Sequence, residues 1–291
     1  MSFWKYYLDE LKKLEKNGAK IYSIGYSELN RPILCVQVGN GEKKLLVKYS
    51  IQATDYITFC LSLLHIKHLL KSPSNNTVLF IPILNPDGIC LNLNGLNSID
   101  CLNDDLFYSE NMFPFCYKKP KKSTIFLSKI KAKLLKLNNN SKDFSLWQSN
   151  INGVNLTTDF CDYDENKKIE KENQAILNFI KQIKPNMIIN YQSKGETICF
   201  NYEKHNKNFK KDNKIAKAIS QLTKYKIKRN KIYYNTSKNC NTKNFHIPQI
   251  TIKVGREDLN YPISKKHLLY IAMQNKKVIT KSLALLDEFK I

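Results

Sequence analysis

Arginine is scarce in this chain of 291 residues, although the formal net charge is +22. It occurs only at Arg31, Arg229 and Arg256, so the positive excess is almost entirely lysine. Specific readout of phosphates and bases depends on arginine forks, and we therefore expect no specific nucleic-acid binding. A lysine-rich surface still leaves open a diffuse attraction to polyanions, including an anionic cell wall.

Uncharged apolar stretches of membrane-spanning length are also missing. Charged residues such as Lys5, Asp9 and Glu10 interrupt the first turns, which argues against a signal peptide. The eight cysteines include no CxxC pair. We therefore expect a cytoplasmic protein with no membrane span, whose cysteines are buried reduced thiols rather than a disulfide framework.

Motifs of several enzyme classes are absent as well. No glycine-rich phosphate loop is present, because Gly39-Asn40-Gly41 fits a turn between strands, and no G-x-S-x-G nucleophile motif occurs. The five histidines include His65 and His68 on one apolar segment, without an accompanying carboxylate. We expect them to be structural residues rather than a metal site.

Regular segments of two kinds alternate along the chain. Strand patterns cover 20–24, 33–38, 44–49, 77–83, 187–191 and 249–254, and helical patterns cover about 2–17, 58–70, 125–137, 167–183, 213–222 and a long stretch from 264. This alternation predicts an α/β fold with a mixed central sheet and helices on both faces. We expect an N-terminal helix (1–19) packed on one domain (20–291), with an irregular basic insertion at about 98–146.

The stretch from Lys48 to Thr58 is the most informative part of this pattern. It reads as the end of a buried strand, a short turn and the start of an apolar helix. Gln52 and Asp55 would then lie at the carboxyl edge of the sheet, where open α/β sheets bind their ligands.

Six segments in order carry a resemblance to a known family. They are Ser23-Ile24-Gly25-Tyr26-Ser27 through Ile33, Ile51 through Thr58, Pro82-Ile83-Leu84-Asn85-Pro86-Asp87-Gly88, Asn152-Gly153-Val154-Asn155-Leu156, Asn190 through Glu196, and Ile247 through Gly255. Together they resemble the zinc carboxypeptidase family of the carboxypeptidase A type. The similarity is greatest to the bacterial branch of γ-D-glutamyl-L-diamino acid endopeptidases, which act on peptidoglycan stem peptides.

The resemblance implies a zinc ion held by two histidines and one glutamate, with a second glutamate as general base. Carried onto this chain, the zinc positions are Gln52, Asp55 and Gln192, and the general base is Lys253. All four positions are substituted. We therefore expect no zinc, and we expect Lys253 to pair with Asp55 while the two glutamines complete a polar cluster.

The substrate-side positions of the family are substituted too. They fall on Gln148, Asn155, Thr157 and Thr158. Thr158 stands where the family has an arginine that grips a terminal carboxylate, and Gln148 stands where an arginine often assists the oxyanion. Loss of both cations weakens the case for trimming of peptide C-termini.

Three functional hypotheses follow. The first is a catalytically inactive relative of zinc carboxypeptidases that binds a peptide, a peptidoglycan fragment or a protein partner. The second is an active metallopeptidase with unconventional metal ligands, acting on peptidoglycan stem peptides. The third is a polyanion-binding protein that uses its lysine surface, with binding that weakens steeply as salt is raised.

Overall fold

The computed structural model describes residues 2–72, 74–114, 122–159, 169–200, 208–228 and 247–288, with only the backbone at 158 and 159. The described strands form one sheet in the order β1-β2-β4-β3-β5-β8-β6-β7. They are β1 (Lys20–Tyr26), β2 (Pro32–Val38), β3 (Lys44–Lys48), β4 (Thr77–Ile81), β5 (Met187–Ser193), β6 (Thr197–Phe200), β7 (Lys226–Ile227) and β8 (Gln249–Val254).

The centre of the sheet is parallel. Strands β4, β3, β5 and β8 run in one direction, whereas β1, β2 and β6 join through antiparallel pairs. The sheet is therefore mixed, as the sequence predicted. Its parallel strands bring the segments that follow β3, β5 and β8 to a common edge.

The described helices connect and cover these strands. They are α1 (Phe3–Lys16), α2 (Tyr56–Lys71), α3 (Pro86–Asn94), α4 (Asn97–Asp100), α5 (Leu102–Met112), α6 (Thr124–Leu137), α7 (Leu156–Asp159), α8 (Lys171–Ile183), α9 (Phe209–Thr223), α10 (Leu268–Asn275) and α11 (Val278–Glu288).

Helices cover both faces of the sheet, each over its own apolar core. Successive side chains of β3 alternate between these two cores. Leu45 and Val47 enter the core beneath α1, α2, α9 and α11. Leu46, between them, enters the core beneath α8. Successive side chains of a strand point to opposite faces, so a strand buried on both sides is apolar at nearly every position.

Helix α1 begins directly after Ser2, the N-cap residue expected from the sequence. The Ser2 hydroxyl accepts a hydrogen bond from the Lys5 N–H at 3.2 Å, and one face of the helix is fully buried. The indole of Trp4 donates to Ser109 at 2.8 Å. This hydrogen bond ties α1 to α5.

The region at about 98–146 is more regular than expected. Where it is described it contains α5 and the predicted lysine-rich helix, found as α6. These helices share a small core that includes Leu102, Leu134 and Phe144. Lys118 to Lys121 of the basic run lie outside the described residues.

Two further departures from the expected pattern concern short or broken elements. The strands β6 and β7 were not predicted, because four and two residues carry too little periodicity. The expected long C-terminal helix is divided into a 3₁₀ turn (Lys265–His267), α10 and α11.

Among the described cysteines, Cys35, Cys60, Cys90, Cys101 and Cys199 carry free thiols, whereas Cys116, Cys161 and Cys240 lie outside the described residues. No described helix has the length and hydropathy needed to cross a membrane.

Candidate functional site

The four positions expected to form the site do meet at one edge of the sheet. Gln52 and Asp55 lie in the turn between β3 and α2, Gln192 is near the end of β5, and Lys253 is near the end of β8. In the β5–β8 ladder Gln192 is directly opposite Lys253. Paired residues on neighbouring strands share a face of the sheet, so these two side chains are neighbours.

Asp55 is the centre of this edge. Its carboxylate is fully buried, and Oδ1 accepts hydrogen bonds from the backbone N–H of Ser193 at 2.8 Å and from the Ser193 hydroxyl at 2.9 Å. Oδ2 accepts the backbone N–H of Gln52 at 3.0 Å. Three donors from the protein therefore bind the carboxylate.

Burial raises the pKa of Asp55 to about 6, and the hydrogen bonds from Ser193 and Gln52 oppose that rise. The positive charge of Lys253 is the last and smallest of the contributions that lower this pKa. Asp55 therefore retains a carboxylate at neutral pH because its donors stabilise the charged form.

The turn that presents Asp55 is fixed by its own backbone and by Thr58. Ser50 takes a positive φ of 49°, and its N–H donates to the Thr58 hydroxyl at 2.9 Å. That hydroxyl donates in turn to the Asp55 carbonyl at 2.8 Å. The N–H of Ala53 donates to the Gln148 carbonyl at 3.0 Å, which anchors the turn to the segment between α6 and α7.

The expected direct pair between Lys253 and Asp55 is not formed. The hydrogen bonds on the Asp55 carboxylate come from Ser193 and Gln52, and Lys253 acts on Asp55 only through space. Ser193, at the end of β5, places two hydrogen-bond donors at the Asp55 carboxylate. Because these donors satisfy the carboxylate, it does not need an ammonium group as a partner.

Gln192 and Lys253 occupy the rest of the edge. Gln192 is buried, and its amide nitrogen donates to the Thr157 hydroxyl at 3.5 Å. Lys253 is half-buried. Gln52 is half-buried as well. The edge therefore combines a satisfied carboxylate, two neutral amides and an ammonium group.

This donor set does not fit the zinc ion that the family uses. Zinc prefers imidazole, thiolate and carboxylate ligands, and neutral amides are poor substitutes. The oxygens of Asp55 already accept three hydrogen bonds from the protein. An ammonium group at the general-base position also repels a metal cation.

The substrate-side positions are brought close only in part. Thr157 reaches Gln192, and the Asn155 side chain accepts the N–H of Thr157 at 2.9 Å, which caps its own turn. Gln148 joins the site through its backbone carbonyl, while its side chain is exposed. The side chain of Thr158 lies outside the described residues.

Nothing in the sequence indicated the role of Ser193. It lies inside the Gln192-Ser193-Lys194 segment that carried the resemblance, but a serine next to a metal position has no fixed meaning. Only the structure shows that it donates twice to Asp55, which lies 138 positions earlier in the chain.

Arg31 is a second residue whose role needed the structure. Its guanidinium is fully buried and pairs with Asp87 at 2.9 Å and with Asp105 at 3.0 Å. It also donates to the Ser98 carbonyl at 2.9 Å. The network joins the turn before β2 to α3, α4 and α5.

Comparison with protein families gives a match over most of the chain. The profile described as zinc carboxypeptidase matches residues 5–268, which is most of the chain. The match includes every position discussed at the carboxyl edge of the sheet.

Two curated proteins are similar over part of their length. Gamma-D-glutamyl-L-diamino acid endopeptidase 1 of Lysinibacillus sphaericus is 27% identical over 170 residues, covering 53% of this chain and 36% of that protein. Uncharacterized protein YqgT of Bacillus subtilis (strain 168) is 24% identical over 215 residues, covering 62% of this chain and 50% of that protein. The matched segments therefore span half or less of these relatives.

Solved structures support the fold. Bovine thrombin-activatable fibrinolysis inhibitor, in complex with tick carboxypeptidase inhibitor, superposes with a TM-score of 0.65 at 11% identity, covering 99% of both chains. A metallo-carboxypeptidase from Burkholderia cenocepacia gives 0.61 at 12% identity, covering 97% of this chain and 68% of the other. At such identities the similarity concerns the fold alone.

Proposed function

The chain belongs to the zinc carboxypeptidase family, and from that membership we propose that it is a non-hydrolytic member which uses the former catalytic cleft to bind a ligand. The family depends on zinc and on a carboxylate base for hydrolysis. This chain keeps the fold and the location of the site but changes the chemistry there. In this proposal the cleft keeps a role in binding and has lost the hydrolytic reaction.

The hydrogen bonding of Asp55 carries the proposal. A metal ligand must offer a lone pair to the metal, and three of the roughly four lone-pair sites of the Asp55 carboxylate already accept hydrogen bonds from Ser193 and Gln52. Turning Oδ1 from Ser193 to a metal would leave the buried N–H and hydroxyl of Ser193 unsatisfied, at a cost of about 1–3 kcal/mol each. Asp55 thus serves as a structural bridge between the turn and β5.

Lys253 supports the same conclusion from the side of catalysis. A general base must accept a proton from the attacking water, and a protonated ammonium group cannot do so. An ammonium can instead bind a ligand carboxylate, and the neighbouring Gln192 and Thr157 add hydrogen-bonding groups.

We infer a short acidic peptide as the class of ligand. One curated relative is named as a γ-D-glutamyl-L-diamino acid endopeptidase, and it is 27% identical to this chain over the matched part. A γ-D-glutamyl peptide is joined through its side-chain carboxyl and therefore carries an α-carboxylate that can remain free. A fragment of a peptidoglycan stem peptide carries the same group. The ammonium group of Lys253 is the feature of the cleft that would bind this carboxylate.

Metal content and hydrolysis test the loss of activity. Protein purified without added metal should contain far less than one equivalent of zinc by elemental analysis, and it should leave a γ-D-glutamyl-L-lysine peptide intact. One equivalent of zinc that is lost in Asp55→Ala, together with cleavage of the peptide, would establish the alternative of an active metallopeptidase. Glu15→Ala, at a partly exposed ion pair on α1, is the matched control.

A further inference from the structure

The helix α10 carries large apolar side chains on its solvent side. Leu269 is 73% exposed, Met273 is 72% exposed and Tyr270 is 49% exposed. Residues three and four positions apart on a helix are neighbours, so these three side chains form one patch. A single exposed apolar residue is ordinary, whereas a cluster of them marks a surface that meets another molecule.

The opposite side of α10 is held firmly by the rest of the protein. Ile271 is fully buried in the core beneath α2 and α9. Asn275 is fully buried as well, and its amide donates to the Tyr225 hydroxyl at 3.0 Å, while its carbonyl accepts from His65 at 3.2 Å. The apolar patch therefore belongs to a docked helix, and its exposure does not come from a frayed end.

Exposed lysines border the patch at both ends. Lys266 precedes Leu269 by three positions, in the 3₁₀ turn that leads into α10. Lys276 and Lys277 follow Met273 by three and four positions. Lys276 keeps helical backbone angles (φ −49°, ψ −40°), so the exposed stripe continues to these two lysines.

This part of the sequence contains no acidic residue that would offset the lysines locally. Residues 260–286 include five lysines and no aspartate or glutamate. Lys265 is directed away from the patch, because its ammonium group lies over the rings of Tyr6 and Tyr56, at 5.1 and 5.4 Å from their centroids. The three lysines that border the patch give its rim a positive charge.

Tyr270 marks the side of the patch that faces the rest of the protein. Its hydroxyl accepts a hydrogen bond from Gln274 at 2.9 Å, and it also interacts with Glu196 in the turn after β5. An amphipathic ring of this kind suits the boundary between protein and an apolar layer. Leu269 and Met273 are therefore the side chains that are free to enter such a layer.

We propose that α10 and its bordering lysines form a docking surface for a membrane of anionic lipids. The helix would lie in the plane of the interface without crossing it, with Leu269 and Met273 at the boundary of headgroups and acyl chains. Each lysine held near anionic headgroups strengthens such binding about fivefold. The surface shares no residue with the former zinc positions, so this proposal and the proposed function can fail separately.

Other occupants fit the patch less well. A second copy of the chain, docked through the same surface, would bring the bordering lysines of both copies together, which is unfavourable at a net charge of +22 per chain. A nucleic acid would attract the lysines but offers no apolar layer to Leu269 and Met273. An anionic bilayer matches the charge and the apolar side chains together.

Co-sedimentation of the full-length protein with lipid vesicles tests the surface. The protein should bind vesicles of equimolar phosphatidylcholine and phosphatidylglycerol, and it should stay in the supernatant with vesicles of phosphatidylcholine alone. Added salt should weaken the binding to the anionic vesicles. Failure to sediment with the anionic vesicles would overturn the proposal.

Matched variants assign the binding to α10. The double variant Leu269→Gln, Met273→Gln should bind anionic vesicles about tenfold less tightly or weaker still, because the transfer of two apolar side chains is lost. Leu146→Gln, at a leucine that is 69% exposed between α6 and α7, should bind like the wild type. Lys277→Gln should weaken binding about fivefold, whereas Lys136→Gln, at an exposed lysine of α6, should change it little.

Two outcomes would contradict the docking surface. Undiminished vesicle binding by the double variant would mean that the lysine surface attracts the vesicles diffusely. A dimer detected by light scattering without lipid, and dissociated by the same substitutions, would assign the patch to a second copy of the chain. Both replaced side chains are exposed, so the double variant should unfold at the wild-type denaturant midpoint, which shows that the fold is intact.

Discussion

Ser193 donates two hydrogen bonds to one oxygen of Asp55, through its backbone N–H at 2.8 Å and its hydroxyl at 2.9 Å. The two residues belong to a turn and a strand that are far apart in the chain. Their contact holds the turn after β3 against the end of β5, beside the positions that the resemblance assigns to the family's metal ligands. The contact is structural, and its strength can be measured.

Ser193→Ala removes the hydroxyl but keeps the backbone donor. We expect the free energy of unfolding to fall by about 2 kcal/mol, because the lost hydrogen bond is to a buried charged group. Chemical denaturation measures this change. Ser62→Ala, which removes a buried serine hydroxyl bonded only to the Phe59 carbonyl, should cost about half as much. Equal costs would mean that the hydroxyl does not stabilise Asp55.

Lys253→Met removes the cation at the former general-base position. If an acidic peptide binds there, its dissociation constant should rise about tenfold or more, since a charge-assisted hydrogen bond is lost. Calorimetry with γ-D-glutamyl-L-lysine is the measurement, and Lys226→Met on the edge strand β7 is the control. Equal binding by both variants, with a steep salt dependence, would instead favour a diffuse polyanion-binding surface.

His65 should make stability depend on pH. It is buried in α2, where Nε2 donates to the Asn275 carbonyl at 3.2 Å, and in the neutral ring Nδ1 then accepts from the Tyr49 hydroxyl at 2.8 Å. Burial lowers its pKa from 6.5 to about 4. The unfolded chain therefore binds a proton more readily between these values, and stability falls as pH falls through this window.

The His65 contribution can be isolated by substitution. In the wild type it should lower the free energy of unfolding by up to about 3 kcal/mol between pH 6.5 and 4, and His65→Gln should flatten that part of the profile. His68→Gln, one turn along the same helix and half-buried, is the control and should keep most of the slope. A profile unchanged by His65→Gln would refute the assignment.

Arg31→Met should be among the most destabilising substitutions in the chain. It would leave the buried carboxylates of Asp87 and Asp105 without their cation, which costs about 3–5 kcal/mol for a buried pair. Arg256→Met, at an exposed pair with Asp258, should have no measurable effect. Equilibrium denaturation compares them, and similar midpoints for both variants would contradict the role assigned to Arg31.

Sequence reasoning predicted the fold well where periodicity was strong. The strand Gln249–Val254 was predicted with its observed limits, and the Ser2 cap marked the start of α1. The mixed sheet with helices on both faces is confirmed. Short elements such as β7 were missed because two residues carry no pattern.

The sequence predicted which residues lie at the site, but it did not predict the contacts that they make. Gln52, Asp55, Gln192 and Lys253 do converge at one edge. The partner of Asp55 was predicted wrongly, because charge complementarity suggested Lys253 while two Ser193 donors were nearer. The ion pairs of Arg31 with Asp87 and Asp105 could not be predicted at all, since the three residues lie in separate segments that only tertiary packing brings together.

The pairing of β3 with β5 has a consequence for how the chain folds. Leu46 is paired with Ile188, so one edge of β3 stays open until most of the chain has been synthesised. Such long-range parallel contacts make folding slow and leave apolar segments exposed for longer. The nascent chain should therefore need protection by chaperones until β5 closes the centre of the sheet.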